Sequence, residues 1–155
     1  SAANDNSPGY VAISAHKAAG EAAMALATER GAKRALLLPV SAPFHCSLME
    51  PAAEVMQIAL DNTPLKAPII PVVTNVTATA VTDTDQINSL LVQQVTGVVR
   101  WRESVQWMKQ NGVTEMVEIG AGKVLAGLVK RIEPEVPCSS VVTPAQIEEL
   151  IGKLK

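Results

Sequence analysis

The chain has 155 residues, 48% of them hydrophobic and 18% charged, a balance that excludes a disordered segment and is long enough to bury a core. A formal net charge of −2, with no dense Lys/Arg run, gives no indication of a nucleic-acid groove or a membrane-binding face and leaves room only for a small local basic patch. Two cysteines, Cys46 and Cys138, stand far apart without CxxC spacing, so neither a disulfide framework nor a metal site is expected.

Aromatic residues make up only 3%, so the core must come from Ala, Val, Leu, Ile and Met. The chain opens at Ser1-Ala2-Ala3-Asn4-Asp5 with no initiator Met and no signal-peptide pattern, and reads as beginning inside something longer. Its apolar runs are short and broken by Pro, too short to span a bilayer. Two reduced thiols in a cytoplasmic protein are the expectation.

After a turn at Ser7-Pro8-Gly9, the alternation from Gly9 to Ser14 predicts a strand. His16 to Arg30 is Ala-rich and predicts a helix closed by Gly31. Arg34 to Val40 is apolar and predicts a short buried strand. A loop follows, Ser41-Ala42-Pro43-Phe44-His45-Cys46, and Ser47 with Glu50 forms a capping-box pattern. Leu48, Ala52, Val55, Met56 and Ala59 then recur at helical spacing as one apolar face.

Ile69 to Val76 is β-branched and predicts a strand interrupted by Pro71. Helices are expected from Asp83 to about Val95 and from Arg100 to an Asn111-Gly112 stop. Thr114 to Ile119 predicts a strand, followed by Gly120-Ala121-Gly122 and a helix over Lys123 to Ile132. A last strand spans Ser139 to Val142, and Thr143-Pro144-Ala145-Gln146 opens a terminal helix. Alternating strands and helices imply an α/β fold with a mostly parallel sheet covered on both faces.

The candidate for chemistry is His45. It lies between a predicted buried strand and a helix start, at the carboxyl edge of a sheet, where α/β proteins place ligands. By spacing alone, a loop histidine bonded to backbone is the simpler reading. Gly120-Ala121-Gly122-Lys123 lacks the Gly and Ser/Thr of a Walker A loop, Val117 and Val124 standing in their places, so a tight turn is expected and not a nucleotide site. His16 has no ligand-spaced partner, and Met24, Met49, Met56, Met108 and Met116 read as core filler. No serine is flanked by the glycines of a Gly-x-Ser-x-Gly elbow. The chain has a candidate base and no activated serine.

Ordered blocks carry a resemblance. They are Asn6-Ser7-Pro8-Gly9, Gly31-Ala32-Lys33-Arg34, Pro39-Val40-Ser41-Ala42-Pro43-Phe44-His45, Pro71-Val72-Val73-Thr74-Asn75-Val76, Val99-Arg100-Trp101 and Glu118-Ile119-Gly120-Ala121-Gly122-Lys123. From Asn4 to about Ile132 the chain resembles the C-terminal half of bacterial malonyl-CoA:acyl carrier protein transacylases. The resemblance implies that His45 is the catalytic base and that the backbone carbonyl of Gln94 orients its ring. It also implies that Asn6, Phe44 and Asn75 line the substrate cleft, with Phe44 opposing an α-methyl branch. Lys33 and Arg34 could dock an acidic carrier protein or be two solvated charges. Val98 and Ala121 depart from prolines common in the family.

The implied fold is part of an α/β-hydrolase-like acyltransferase domain with part of an inserted ferredoxin-like subdomain. Residues 1–40 would be the second half of the small subdomain and 41–155 the returning part of the large domain. The implied activity is malonyl transfer from CoA to the phosphopantetheine thiol of acyl carrier protein in fatty acid synthesis, without a cofactor. The nucleophilic serine, the oxyanion segment and the carboxylate-binding arginine would come from a missing N-terminal half, so the chain alone is expected to be inactive. Alternatives are a discrete polyketide-pathway acyltransferase and a non-enzymatic module that binds carrier protein.

Overall fold

A computed structural model describes residues 1–154. Strands β1 (Ala2–Ser7) and β2 (Tyr10–Ile13) form an antiparallel hairpin, followed by helix α1 (Lys17–Glu29). A 3₁₀ turn (Ser47–Met49) leads into α2 (Glu50–Asp61). Strands β3 (Val72–Val73) and β4 (Ala80–Val81) pair antiparallel, followed by α3 (Thr84–Thr96) and α4 (Trp101–Gln110). Strands β5 (Met116–Ile119) and β6 (Cys138–Val141) pair in parallel across α5 (Val124–Ile132), and α6 (Pro144–Lys153) follows.

The core gathers where α4 and α5 pack together beside this parallel pair. Val105, Leu128, Val129, Ile132 and Val136 are buried, with Trp101, Met108, Met116 and Cys138 against them. Trp101, Val105 and Met108 fall at i, i+4 and i+7 on α4, and Leu128 with Ile132 at i and i+4 on α5, so each helix turns one stripe inward. Val105 and Val129 are 0% and 1% exposed, and burying each contributes about 1.5–3 kcal/mol.

Local signals locate several helix ends. Asp83 accepts from the Gln86 N–H at 2.8 Å and caps α3, while Thr143 and Gln146 form a reciprocal capping box on α6. Gly31 and Gly112 take the left-handed conformation just beyond α1 and α4, at φ 89° and 90°. At the Gly120-Ala121-Gly122 turn, the Glu118 carboxylate accepts from the N–H groups of Leu125 (3.2 Å) and Ala126 (2.9 Å) and from the Ser140 hydroxyl (3.3 Å). The anion at this helix start is a side chain of the chain itself. Those backbone donors hold Glu118 below the usual carboxylate range.

Several expectations fail. There is no continuous parallel sheet among the described residues: the strands form three two-stranded pairs, of which only β5–β6 is parallel. Arg34 to Val40 is not a strand, because no neighbouring strand of this chain pairs with it, and Leu36 and Leu37 stay 65% and 69% exposed. The capping box at Ser47 does not form. The 3₁₀ turn with Cys46 at its head intervenes, and α2 begins only at Glu50. The predicted apolar stripe of α2 faces outward, with Val55 67% and Met56 39% exposed, while Ala53 is the residue buried. Met56 is therefore not core filler. β1 and β4 carry too little alternation to be read in advance, and β3 is shorter than its β-branched run.

Candidate active site

His45 sits in the loop ahead of the 3₁₀ turn, half-buried and left-handed at φ 60°. Such a φ costs a β-carbon residue about 1–2 kcal/mol, so contacts must hold it. The Ser14 hydroxyl donates to the Phe44 carbonyl at 2.5 Å, and the Cys46 thiol donates to the Pro43 carbonyl at 3.1 Å. Both bonds pin backbone beside the ring. Cys46 itself is buried.

The ring meets the end of α3. His45 Nδ1 lies 3.0 Å from the Gln94 carbonyl oxygen. This carbonyl is free for a reason internal to the helix. α3 ends at Thr96, the Gly97 N–H closes on Gln93 O at 2.9 Å, and the next carbonyl, that of Gln94, has no helical donor left. Gly97 permits that ending: a β-carbon there would stand 2.9 Å from Gln93 O, tighter than backbone tolerates. A helix C-terminus also presents partial negative charge, which complements the positive charge an imidazole gains on taking a proton. Because a carbonyl only accepts, the neutral ring must carry its hydrogen on Nδ1, leaving the Nε2 lone pair available.

The Gln94 side chain is held as well. Asn75 Nδ2 donates to Gln94 Oε1 at 3.0 Å. Asn75 lies in the β3–β4 loop, whose shape comes from Ala78 at φ 55° and from a cluster of Thr74, Thr77 and Thr79 hydroxyls, with Thr74 and Thr77 2.8 Å apart. Arg100 binds the same loop, Nη1 donating to the Val76 carbonyl at 2.9 Å, and pairs with Glu103. The hydrogen bond between them holds Arg100 above its ordinary value and Glu103 below the usual carboxylate range.

Of the site residues expected from sequence, the structure thus joins His45, Gln94 and Asn75 in one hydrogen-bonded chain. Phe44 is adjacent and 43% exposed. Asn6 is half-buried on β1, where the pairing with β2 is irregular. Its neighbour Asp5 ties that strand to the site's helices, its N–H donating to Val99 O at 2.9 Å and its carboxylate accepting from Arg102 Nε at 3.1 and 3.0 Å. Lys33 and Arg34 are exposed beyond α1, apart from this chain of bonds. Sequence reasoning missed Ser14, Gly97 and the roles of Arg100 and Glu103. The i,i+3 spacing of the last two was visible, and their contact with the β3–β4 loop was not. An apolar cavity of about 190 Å³ between β3 and α3, lined by Val72, Ile87, Leu90 and Leu91, reaches Asn75 and Gln94. No cluster of metal-ligating side chains occurs among the described residues, nor any helix long and apolar enough to cross a membrane.

Fold and site together define an α/β protein with an imidazole anchored on a helix-terminal carbonyl. The chain is 50% identical over 141 residues to the malonyl CoA-acyl carrier protein transacylase of Haemophilus influenzae, covering 91% of this chain and 45% of that protein. Superposition on the acyl-carrier-protein-S-malonyltransferase of Bartonella henselae gives a TM-score of 0.94 at 49% identity, over 99% of this chain and 49% of that one. A malonyl-transacylase solved in complex with its type II PKS acyl-carrier protein matches with a TM-score of 0.90 at 40% identity, over 98% of this chain and 50% of that one. No protein-family model matches. The chain is a relative of the malonyl-CoA:acyl carrier protein transacylases, corresponding to their C-terminal half, and it spans about half the length of the relatives it matches.

Proposed function

We propose that this chain supplies the general base of a malonyl-CoA:acyl carrier protein transacylase, acting on a serine hydroxyl contributed by polypeptide outside this sequence. The observation that carries the reading is the 3.0 Å contact between His45 Nδ1 and Gln94 O. It fixes the tautomer a base needs, with Nε2 ready to accept.

In the proposed cycle Nε2 takes the serine proton as the serine oxygen attacks the malonyl thioester carbonyl. The C–S bond breaks, the CoA sulfur leaves with the proton returned by the imidazolium, and a malonyl-serine ester remains. The phosphopantetheine thiol of the carrier protein then gives its proton to Nε2 and attacks the ester. The serine oxygen departs and is reprotonated. No resident cofactor or metal enters these steps. Asn75 and Gln94 hold the ring's support, and Asn6 is assigned to the cleft entrance. Lys33 and Arg34 are exposed and cationic, which suits steering of an acidic carrier protein.

We place residues 1–40 in the second half of an inserted ferredoxin-like subdomain. The β1–β2 hairpin, α1 and the extended run after it support this, as a pairing partner for Leu36 to Leu38 would complete the unit. Residues 41–155 form the returning part of an α/β-hydrolase-like domain. We assign the site of action to the cytoplasm. The type II PKS relative favours a second reading, loading of a polyketide carrier protein by the same mechanism.

The test joins this chain to the portion of the Haemophilus influenzae relative that it does not match. The assembled protein should transfer malonyl groups from CoA to acyl carrier protein. An assembled, folded protein with no malonyl-serine ester by mass spectrometry would remove the reading, including the outcome in which the chain only binds carrier protein.

Phe44 offers a specificity test. Phe44→Ser should open space beside the acyl α-carbon and raise the relative use of methylmalonyl-CoA about tenfold, within the roughly 1–3 kcal/mol that one methyl commands. An unchanged ratio of the two kcat/KM values would exclude a role for the ring.

A further inference from the structure

The imidazole does not rest on a rigid helix interior. Its acceptor belongs to the last turn of α3, where carbonyls lack helical partners and helices fray. Something must hold that turn, and the connection from α3 to α4 is bound from two sides. On one, Val99 bridges β1, its N–H donating to Ala3 O at 2.8 Å and its carbonyl accepting from the Asp5 N–H at 2.9 Å. On the other, Arg100 reaches into the β3–β4 loop. Its guanidinium donates to the Val76 carbonyl at 2.9 Å, its backbone N–H approaches Asn75 O at 3.4 Å, and Glu103 orients the fork. Asn75 is the residue whose amide grips the Gln94 side chain, at 3.0 Å. The path runs Glu103, Arg100, the Asn75-Val76 backbone, Gln94, His45.

We propose that Arg100 is a positioning residue for the transfer reaction, holding the Asn75-Val76 backbone so that Gln94 presents its carbonyl to His45. The proposal rests on the function given above. Arg100 touches neither the imidazole nor the reacting groups. Its side chain is 38% exposed, so its worth lies less in charge than in fork geometry, with Nε on Glu103 and Nη1 on Val76 O. Ala78 at φ 55°, only 3% exposed, shows that this loop has an unfavoured backbone that neighbours must retain. Losing the Arg100 donor relaxes the loop, frees the Asn75 amide and lets the end of α3 drift. A base displaced by a fraction of an ångström costs turnover more than substrate binding.

The experiment uses the assembled protein described above, with Arg100→Met, Arg100→Lys and Arg100→Gln. Arg100→Met keeps bulk and removes the donor. It should lower kcat about tenfold with the KM for malonyl-CoA within about twofold, and the His45 Nδ1–H NMR signal should exchange faster with water. Arg100→Gln can donate to Val76 O but loses the fork on Glu103, and should fall between Arg100→Met and the parent in both kcat and exchange. If Arg100→Met does not fold, Arg100→Lys takes its place, since an ammonium cannot serve Glu103 and Val76 O in one fork. A loss of about threefold is then expected, with the same exchange signature. Unchanged kcat in whichever of Arg100→Met or Arg100→Lys folds overturns the proposal, as does a fall in kcat with unaltered His45 Nδ1–H exchange. Should the parent assembly show no transfer, the function falls, and the exchange signal alone decides whether Arg100 holds the ring.

Discussion

On the function proposed above, replacing His45 by Asn in the assembled protein should lower malonyl loading by about 10³-fold, within the 10²–10⁴ range of general base catalysis. Asn is the informative substitution because position 45 has φ 60°, a conformation that Asn tolerates and most side chains do not. His45→Ala would lose the base and add backbone strain, confusing two effects. His45→Asn should leave the melting temperature within a few degrees while the malonyl-serine ester disappears from rapid-quench samples. Loading at the parent rate would sink the mechanism. A loss of loading accompanied by unfolding would point instead to a structural role for the ring.

The second large effect concerns the chain by itself. Its accessible surface is 10565 Å² for 16.3 kDa, whereas a folded monomer of that mass should expose about 7,500 Å². An excess of about 3,000 Å² on one partner corresponds to about 6,000 Å² over two, the size of a large obligate interface. Much of it is apolar: Ile69 is 101% exposed, Ile70 71%, Leu37 69%, Val55 67%, Ile58 64% and Val124 70%. Exposed faces of that extent are partner surfaces. The isolated 155-residue chain should therefore bind a hydrophobic dye and melt over a broad range without a cooperative step. Joined to the portion of a relative that it does not match, it should melt sharply and stop binding the dye. A sharp transition of the isolated chain without dye binding would show that the α4–α5 core suffices.

The same exposure explains which parts of the sequence reading failed. Arg34 to Val40 has the composition of a buried strand, and the stripe Leu48, Ala52, Val55, Met56 and Ala59 has the period of a packed helix face. Both patterns are real, and both lack a covering surface among the described residues. A hydrophobic pattern states that a face should be covered and not by what. The unformed capping box at Ser47 has a different origin. Two residues at the right spacing cap a helix only if the helix starts there, and the 3₁₀ turn moves the start to Glu50.

The site was legible to a different depth at each residue. His45 draws notice by lying between an apolar run and a helix start, but spacing alone favours an ordinary loop histidine, and the ordered blocks make it the candidate base. Gln94 has no such signal of its own. Its backbone carbonyl matters, and a carbonyl is the same at every residue; only the ordered blocks pointed to it. Arg100 and Glu103 show only an i,i+3 spacing in the sequence, which says nothing of the β3–β4 loop that Arg100 binds.

Unaided, the order of residues determined where most helices lie, the cap at Thr143, the glycines at 31 and 112 that close α1 and α4, and the absence of an activated serine. These depend on neighbours within a turn or two, where chemistry and distance along the chain coincide. Only the tertiary structure decided that the end of α3 meets the loop before α2, that Asn75 and Arg100 converge on that end, and that the α2 stripe stays uncovered. Such facts join residues as far apart as His45 and Gln94, whose proximity depends on how whole elements pack and is written in no local pattern.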